Sequence, residues 1–135
     1  MQKSNMQNKR LQTHVCVVGG GVSGICTALA AARGGASVVL MHDRPVLGGN
    51  SSSEICMHVC GADRAGKIPN MRETGILEKL RLENLLRNPH DNYSVWDMIL
   101  YEKVEFQPGA RLLLNCTCQS AEMDGLRVKS VPDGS

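Results

Sequence analysis

Three glycines with the spacing GxGxxG stand where backbone groups, rather than side chains, could bind a ligand. Gly19, Gly21 and Gly24 follow a short run rich in β-branched residues, and an alanine-rich stretch comes directly after them. A turn of this kind brings free N–H groups and the positive end of a helix dipole close to an anion. The spacing predicts a pyrophosphate site that includes Val22 and Ser23 of the same turn.

The elements that must position this turn form a βαβ unit. Residues 14–18 are typical of a buried strand, residues 25–33 of a helix that ends at Gly34 and Gly35, and residues 37–41 of a second buried strand. Two such strands joined by a glycine turn and a helix pair in parallel through a right-handed crossover. The predicted fold class is therefore α/β.

Two residues at the end of the second predicted strand are candidates to bind the ribose. In the usual dinucleotide fingerprint, an acidic residue about twenty positions further on accepts hydrogen bonds from the ribose hydroxyls. His42 occupies the expected position and Asp43 the next one. Asp43 serves if the strand ends one residue later, and the His42 ring is also able to hydrogen-bond a hydroxyl. The alternative for Asp43 is a solvated turn residue.

A second glycine pair follows in the stretch RPVLGGNSSSEI, where a nicotinamide-binding domain would normally continue into a helix. Pro45 and the pair Gly48 and Gly49 prevent a helix, and glycines remove side chains where a flat cofactor approaches the backbone. Asn50 and Ser51 offer uncharged donors and acceptors beside them. The alternative is a serine-rich surface loop.

Three stretches carry a resemblance to a known family: DRPVLGGNSSSEI, RETGILEKLRLEN and NYSVWDMILYEKV. They resemble the FAD-dependent oxidoreductases that include relatives of heterodisulfide reductase, and the glycine pattern is similar to flavoproteins of the glutathione-reductase type. The resemblance implies a Rossmann-like FAD-binding domain with the GxGxxG glycines at the pyrophosphate. It also implies that Gly48, Gly49 and Asn50 lie along the flavin, with Arg44 near the adenosine or phosphate end.

A helical insertion is predicted at about residues 70–107. Its second helix is expected to begin near Ser94, whose hydroxyl would cap it together with Asp97 three residues later. Apolar residues at helical spacing mark the first helix: Ile76, Leu77, Leu80, Leu85 and Leu86.

A strand at residues 110–118 and a hairpin around Asp124 and Gly125 complete the predicted elements. The resemblance implies that this strand takes the third parallel position of the sheet and that Cys118, at its end, approaches the adenine. We expect a polar tail at residues 1–13 and an FAD-binding domain at residues 14–135. Since the family's proteins are longer, we also expect this domain to be incomplete, with an unpaired sheet edge that favours self-association.

The six cysteines predict free thiols rather than a metal site. None of them forms a CxxC pair, and most lie among apolar residues, which is typical of buried thiols in a reducing compartment such as the cytoplasm. Cys56, His58 and Cys60 alternate along one segment, so an extended backbone would place them on one face. A metal or a redox-active thiol is the less favoured interpretation of that segment.

Composition excludes several other functions. Fifteen basic and thirteen acidic residues give a formal net charge of +2, which lacks the concentrated basic patch of nucleic-acid binding. The uncharged residues 15–32 contain three consecutive glycines and are too weakly hydrophobic for a membrane span.

Three functions therefore compete. The first is the FAD-binding portion of an oxidoreductase that acts with an unidentified small-molecule substrate or electron carrier. The others are a non-catalytic nucleotide-binding module and a truncated remnant. The sequence assigns no catalytic residue.

Overall fold

The computed structural model describes residues 10–60, 68 and 71–132. The described elements confirm the α/β class. The strands are β1 (Val15–Val18), β2 (Val38–Met41), β3 (Ala110–Leu113), β4 (Glu122–Asp124) and β5 (Arg127–Ser130). The helices are α1 (Val22–Arg33), α2 (Gly75–Arg87) and α3 (Tyr93–Glu105), and a 3-10 turn spans Gly49–Ser51.

The first three strands form a parallel sheet in the order β1-β2-β3. In its register Val17 lies beside Leu40, and Leu40 beside Leu112. Because side chains alternate across a strand, these residues share one face of the sheet, and that face packs into the core. The predicted third parallel position is thus confirmed, and among the described strands β1 pairs with β2 alone.

The core lies between this face and the three helices. α1 packs on β1 and β2, α3 packs on β3, and α2 packs on the other two helices. The helices contribute the following buried side chains: Ile25, Leu29, Leu80, Trp96, Leu100 and Val104. The two helices of the predicted insertion therefore complete the core of the sheet.

The apolar face predicted for α2 is only partly correct. Leu80 is buried, but Leu85 is 74% exposed and Leu86 is 82% exposed. The neighbours of α2 among the described elements are α1 and α3, so one narrow side of the helix is covered. Helical spacing alone could not distinguish the covered side from the exposed one.

α3 begins at Tyr93, close to the predicted start near Ser94, but the predicted cap is wrong. The cap is Asn92, whose side chain accepts a hydrogen bond from the Ser94 N–H at 2.8 Å. Asn92 is itself held by the buried Asn88, whose side-chain oxygen accepts the Asn92 N–H at 2.8 Å. Asparagine and serine are similarly good N-caps, so residue type alone could not identify which of the two caps α3.

The strand predicted over residues 110–118 ends at Leu113. Asn115 adopts a left-handed backbone with φ 52°, and its N–H donates to the carbonyl of Arg44. The chain therefore turns out of the ladder and lies against the segment that follows β2. The predicted hairpin is confirmed, because β4 and β5 pair in antiparallel fashion and Gly125 has a φ of 60°.

Ion pairs join α2 to α3 at the surface. Arg87 contacts Glu83 at 2.9 Å and Glu102 at 2.7 Å, and Lys103 also contacts Glu83. The hydrogen bond from Lys103, followed by that from Arg87, lowers the pKa of Glu83.

We predict that Glu83→Gln lowers the free energy of unfolding by about 0.2–1 kcal/mol at neutral pH, since exposed ion pairs are screened. The pKa of Glu83 lies below its ordinary value of 4.5, so the stabilisation is present above that pH. It is lost as the pH falls through the folded-state pKa, because the carboxyl is then protonated in both states. Urea unfolding at pH values of about 7 and about 3 measures the difference.

Glu105→Gln is the matched control, since Glu105 is an exposed glutamate of α3 for which the described residues provide no ion pair. An equal loss of stability in the two variants at neutral pH would contradict the role of the network.

Candidate dinucleotide-binding site

The glycine turn connects β1 directly to α1. Gly19 has a φ of +106°, and its N–H donates to the Met41 carbonyl at 2.8 Å, which ties the turn to the end of β2. Gly21 is the N-cap of α1, and its carbonyl accepts the Ile25 N–H at 2.9 Å. The helix begins at Val22, three residues earlier than predicted, because Gly21 already serves as its N-cap.

Gly24 provides the close contact between helix and strand. A Cβ atom at this position would lie 1.9 Å from the backbone oxygen of Gly19, a distance that no side chain tolerates. Gly21 differs, because a Cβ there would have no described atom within 4 Å. Gly24 thus allows the helix to pack against the backbone of the turn, whereas the position of a Gly21 side chain is open space.

The N-terminus of α1 has the electrostatics of an anion site. No described side chain caps it, and its first turn contains no acidic residue. The N–H groups of the first turn lack partners within the helix, and the aligned peptide dipoles place partial positive charge there. Val22 and Ser23 contribute backbone groups to this end of the helix.

The two glycine segments, separate in sequence, lie against each other. The Gly48 N–H donates to the Gly20 carbonyl at 2.8 Å, and Gly21 and Gly48 form an isolated parallel bridge. A Cβ on Gly49 would lie 3.2 Å from the Cα of Gly21. Gly48 and Gly49 have φ values of 112° and 58°, which are strained for other residues. Together the segments form one surface cradle of nearly bare backbone.

His42 lies beneath this cradle. Its ring is 6% exposed, and its Nδ1 accepts the Gly20 N–H at 3.0 Å. Its backbone is held by β3, since the His42 N–H donates to the Leu113 carbonyl. Nε2 is buried and has no hydrogen-bond partner in the described part of the chain.

Asp43 and Arg44 lie at the rim of the same site. The Asp43 carboxylate is 61% exposed and reaches His42 Nδ1 at 3.4 Å. Arg44 contacts Glu54 at 3.3 Å, so its charge is partly balanced within the segment. Asp43 is the more accessible of the two candidate ribose ligands.

The serines after the second glycine pair are engaged within the protein. The buried Ser51 hydroxyl donates to the Gly48 carbonyl at 2.9 Å and accepts the Trp96 Nε1–H at 3.1 Å. The Ser52 hydroxyl donates to the Gly49 carbonyl at 2.7 Å. The Ser53 N–H donates to the buried carboxylate of Asp97 at 3.0 Å. These bonds fix the shape of the loop, while Asn50 is exposed at its outer side.

Trp96 and Asp97 are residues whose place beside the site was not predicted. We expected Asp97 to help cap the helix, but its carboxylate and the indole of Trp96 both reach the serine segment. Their target loop lies more than forty positions away in the sequence, so the pattern within the helix gave no signal of this contact.

The prediction of buried thiols is wrong for half of the cysteines. Cys16, Cys56 and Cys60 are exposed, and Cys26, Cys116 and Cys118 are partly buried. Although Cys16 is exposed as a residue, partial desolvation of its thiol raises its pKa, with a smaller contribution from Cys118, which lies beyond the end of β3. The segment around Cys56 is not extended, because Cys56 has a φ of 60°. The described residues contain no His, Cys, Asp or Glu group able to hold a metal ion.

A separate cleft of about 520 Å³ opens between α2 and α3. Its walls include Trp96 and Ser51, which lie behind the cradle, together with Leu82 and Tyr93. The glycines of the cradle do not line this cleft. Helices long and apolar enough to cross a bilayer are absent from the described chain.

A parallel β1-β2-β3 sheet with glycines at the start of α1 defines a Rossmann-like dinucleotide-binding domain. The model of the FAD dependent oxidoreductase family matches residues 14–132. The chain therefore belongs to the FAD-dependent oxidoreductase family.

Among solved structures, the chain is similar to p-nitrophenol 4-monooxygenase from Pseudomonas putida DLL-E4. The identity is 16%, the TM-score is 0.49, and the alignment covers 82% of this chain and 33% of the other. This chain thus spans about a third of the length of that structure. No curated protein matches the chain significantly.

We predict that Gly24→Ala destabilises the fold by about 1–3 kcal/mol or more, because its Cβ would overlap the Gly19 carbonyl and separate α1 from β1. Gly21→Ala is the control, since its Cβ points into free space and should change stability by less than about 1 kcal/mol. Urea unfolding of both variants measures the difference. Equal stability of the two would show that the close approach at Gly24 is not required.

Proposed function

We propose that this chain forms the FAD-binding part of a flavin-dependent oxidoreductase, with the glycine cradle holding the cofactor. The observation that carries the proposal is the contact between the two glycine segments at the N-terminus of α1. A Cβ on Gly21 would enter free space there, and no described side chain neutralises the helix end. Family membership supports FAD as the dinucleotide.

The two glycine segments would bind different parts of FAD. Gly19, Gly21 and Gly24, with the amides of Val22 and Ser23, would hold the pyrophosphate at the positive end of α1. Gly48, Gly49 and Asn50 would lie along the flavin side, with Ser51 shaping that loop from behind. When bound, FAD supplies the electron chemistry, while the protein supplies position and electrostatics.

The adenosine end would lie at the rim formed after β2. Asp43 offers an accessible carboxylate for the ribose hydroxyls, whereas the accepting nitrogen of His42 is already occupied by Gly20. Arg44 lies beside it, towards the adenosine or phosphate end. We assign Cys118 a weaker role near the adenine, as a partly buried thiol beyond the end of β3.

The partners that we propose are FAD and a small-molecule substrate or electron carrier. We place the protein in a reducing compartment such as the cytoplasm, because the exposed cysteines Cys16, Cys56 and Cys60 are free thiols.

A titration with FAD tests the proposal, following flavin fluorescence and visible absorption. We expect saturable binding that is selective over NAD and FMN. A folded chain that binds none of the three, or binds NAD in preference, would overturn the assignment.

We predict that Gly21→Val abolishes FAD binding, because its methyl groups would occupy the space reserved for the pyrophosphate. Ala30→Val is the control, since it adds two methyl groups to an exposed position of α1 away from the cradle. Circular dichroism checks that both variants fold. Unchanged affinity in Gly21→Val would remove the glycine turn from the cofactor site.

We predict that Asp43→Ala weakens FAD binding by about 1–3 kcal/mol if its carboxylate holds the ribose. Asp124→Ala removes an exposed carboxylate of the distant hairpin and should leave the affinity unchanged. The same titration measures both variants. An Asp43→Ala affinity equal to that of the wild type would exclude Asp43 as the ribose ligand.

A further inference from the structure

We propose that neutral His42 is a positioning residue for the glycine cradle and that its protonation weakens cofactor binding. The inference rests on the proposed FAD site and concerns its regulation by pH. His42 would act on the cofactor through the backbone of Gly20.

The first observation is the direction of the hydrogen bond. Gly20 has only an N–H to offer, so His42 Nδ1 must accept the bond at 3.0 Å. A ring nitrogen that accepts carries no proton, and the single proton of a neutral imidazole then lies on Nε2. The contact thus selects one tautomer of the neutral ring.

The second observation is that the imidazole packs closely against the backbone of Gly20. A Cβ on Gly20 would lie 2.7 Å from the His42 Cγ and 2.4 Å from a methyl carbon of Leu47, so imidazole and backbone are closely apposed. The carbonyl of Gly20 meanwhile accepts the Gly48 N–H. His42 therefore holds the residue whose carbonyl links the first glycine segment to the second.

Protonation would reverse this contact. An imidazolium presents N–H groups at both nitrogens, so Nδ1–H and the Gly20 N–H would face each other as two donors. The carboxylate of Asp43, 3.4 Å from Nδ1, is the acceptor available to the new proton. That pairing would draw the imidazole away from Gly20 and engage the carboxylate that we assign to the ribose.

Among the described neighbours of His42, Asp43 is the charged group that can pair with the protonated imidazole. The glycine turn and Leu47 contribute no titratable side chain, and β3 ends beside His42 at the apolar Leu113. The remaining titratable neighbour is Cys116, whose N–H donates to the His42 carbonyl. Arg44 is engaged by Glu54.

Substituting His42 with asparagine or with glutamine distinguishes the roles of its two ring nitrogens. In His42→Asn the side-chain oxygen can take the place of Nδ1 and accept the Gly20 N–H, without a group that gains charge. In His42→Gln the amide extends towards the place of Nε2, so the Gly20 N–H loses its acceptor. His90→Asn is the control, since His90 is exposed in the turn between α2 and α3.

FAD affinity is measured for each protein at about pH 8 and at about pH 5.5, the range in which imidazoles ordinarily change charge. We expect the wild type and His90→Asn to lose affinity on acidification, on the order of tenfold for a buried bond lost. His42→Asn should match the wild type at the higher pH and lack this loss. His42→Gln should bind more weakly at both values.

Hydrogen exchange of the Gly20 amide, without cofactor and at one pH near 8, provides a readout that does not depend on FAD. We expect protection in the wild type and in His42→Asn, and faster exchange in His42→Gln. Equal protection in all three, or an unchanged acid loss in His42→Asn, would overturn the inference. Failure of the wild type to bind FAD would instead overturn the proposed function, while the exchange experiment would still judge the role of His42 in positioning Gly20.

Discussion

The close approach of α1 to the end of β1 is the constraint on which the rest of this structure depends. The backbone oxygen of Gly19 occupies the space that a Cβ of residue 24 would need, so the helix starts within contact distance of the strand. The N-terminus of α1 consequently lies at the carboxyl edge of the sheet, where β2 also ends. Every candidate group of the site is positioned relative to that helix end, including the second glycine segment that bridges to Gly21.

The helices that looked like an insertion are the structural support of the second glycine segment. Trp96 donates to the Ser51 hydroxyl, and Asp97 accepts from the Ser53 backbone, so two neighbouring residues of α3 hold the loop from below. Both side chains are buried, which makes these hydrogen bonds costly to break. Since α3 also packs on β3, the loop is fixed to the same rigid core as the glycine turn.

Local features were predictable from the sequence, and features that depend on distant contacts were not. The βαβ unit, the role of Gly24 in close packing and the turn at Gly125 follow from backbone preferences within a few residues. The exposure of Leu85 and Leu86 depends on which side of α2 its neighbours cover, and helical periodicity does not contain that information. β3 ends early because the segment after it bonds to residues 42–44, and spacing along one strand cannot reveal that.

The hydrogen bonding of His42 is a feature of the site that the sequence alone could not predict. Its position matched that of the usual acidic ribose ligand, but the sequence could not reveal that Gly20 would occupy its accepting nitrogen. A carboxylate at this position could accept the Gly20 N–H as well, yet it would add a negative charge beneath a site suited to an anion. A neutral imidazole accepts the same bond without that charge. The neighbouring Asp43 keeps its carboxylate at the exposed rim, 3.4 Å from the same imidazole.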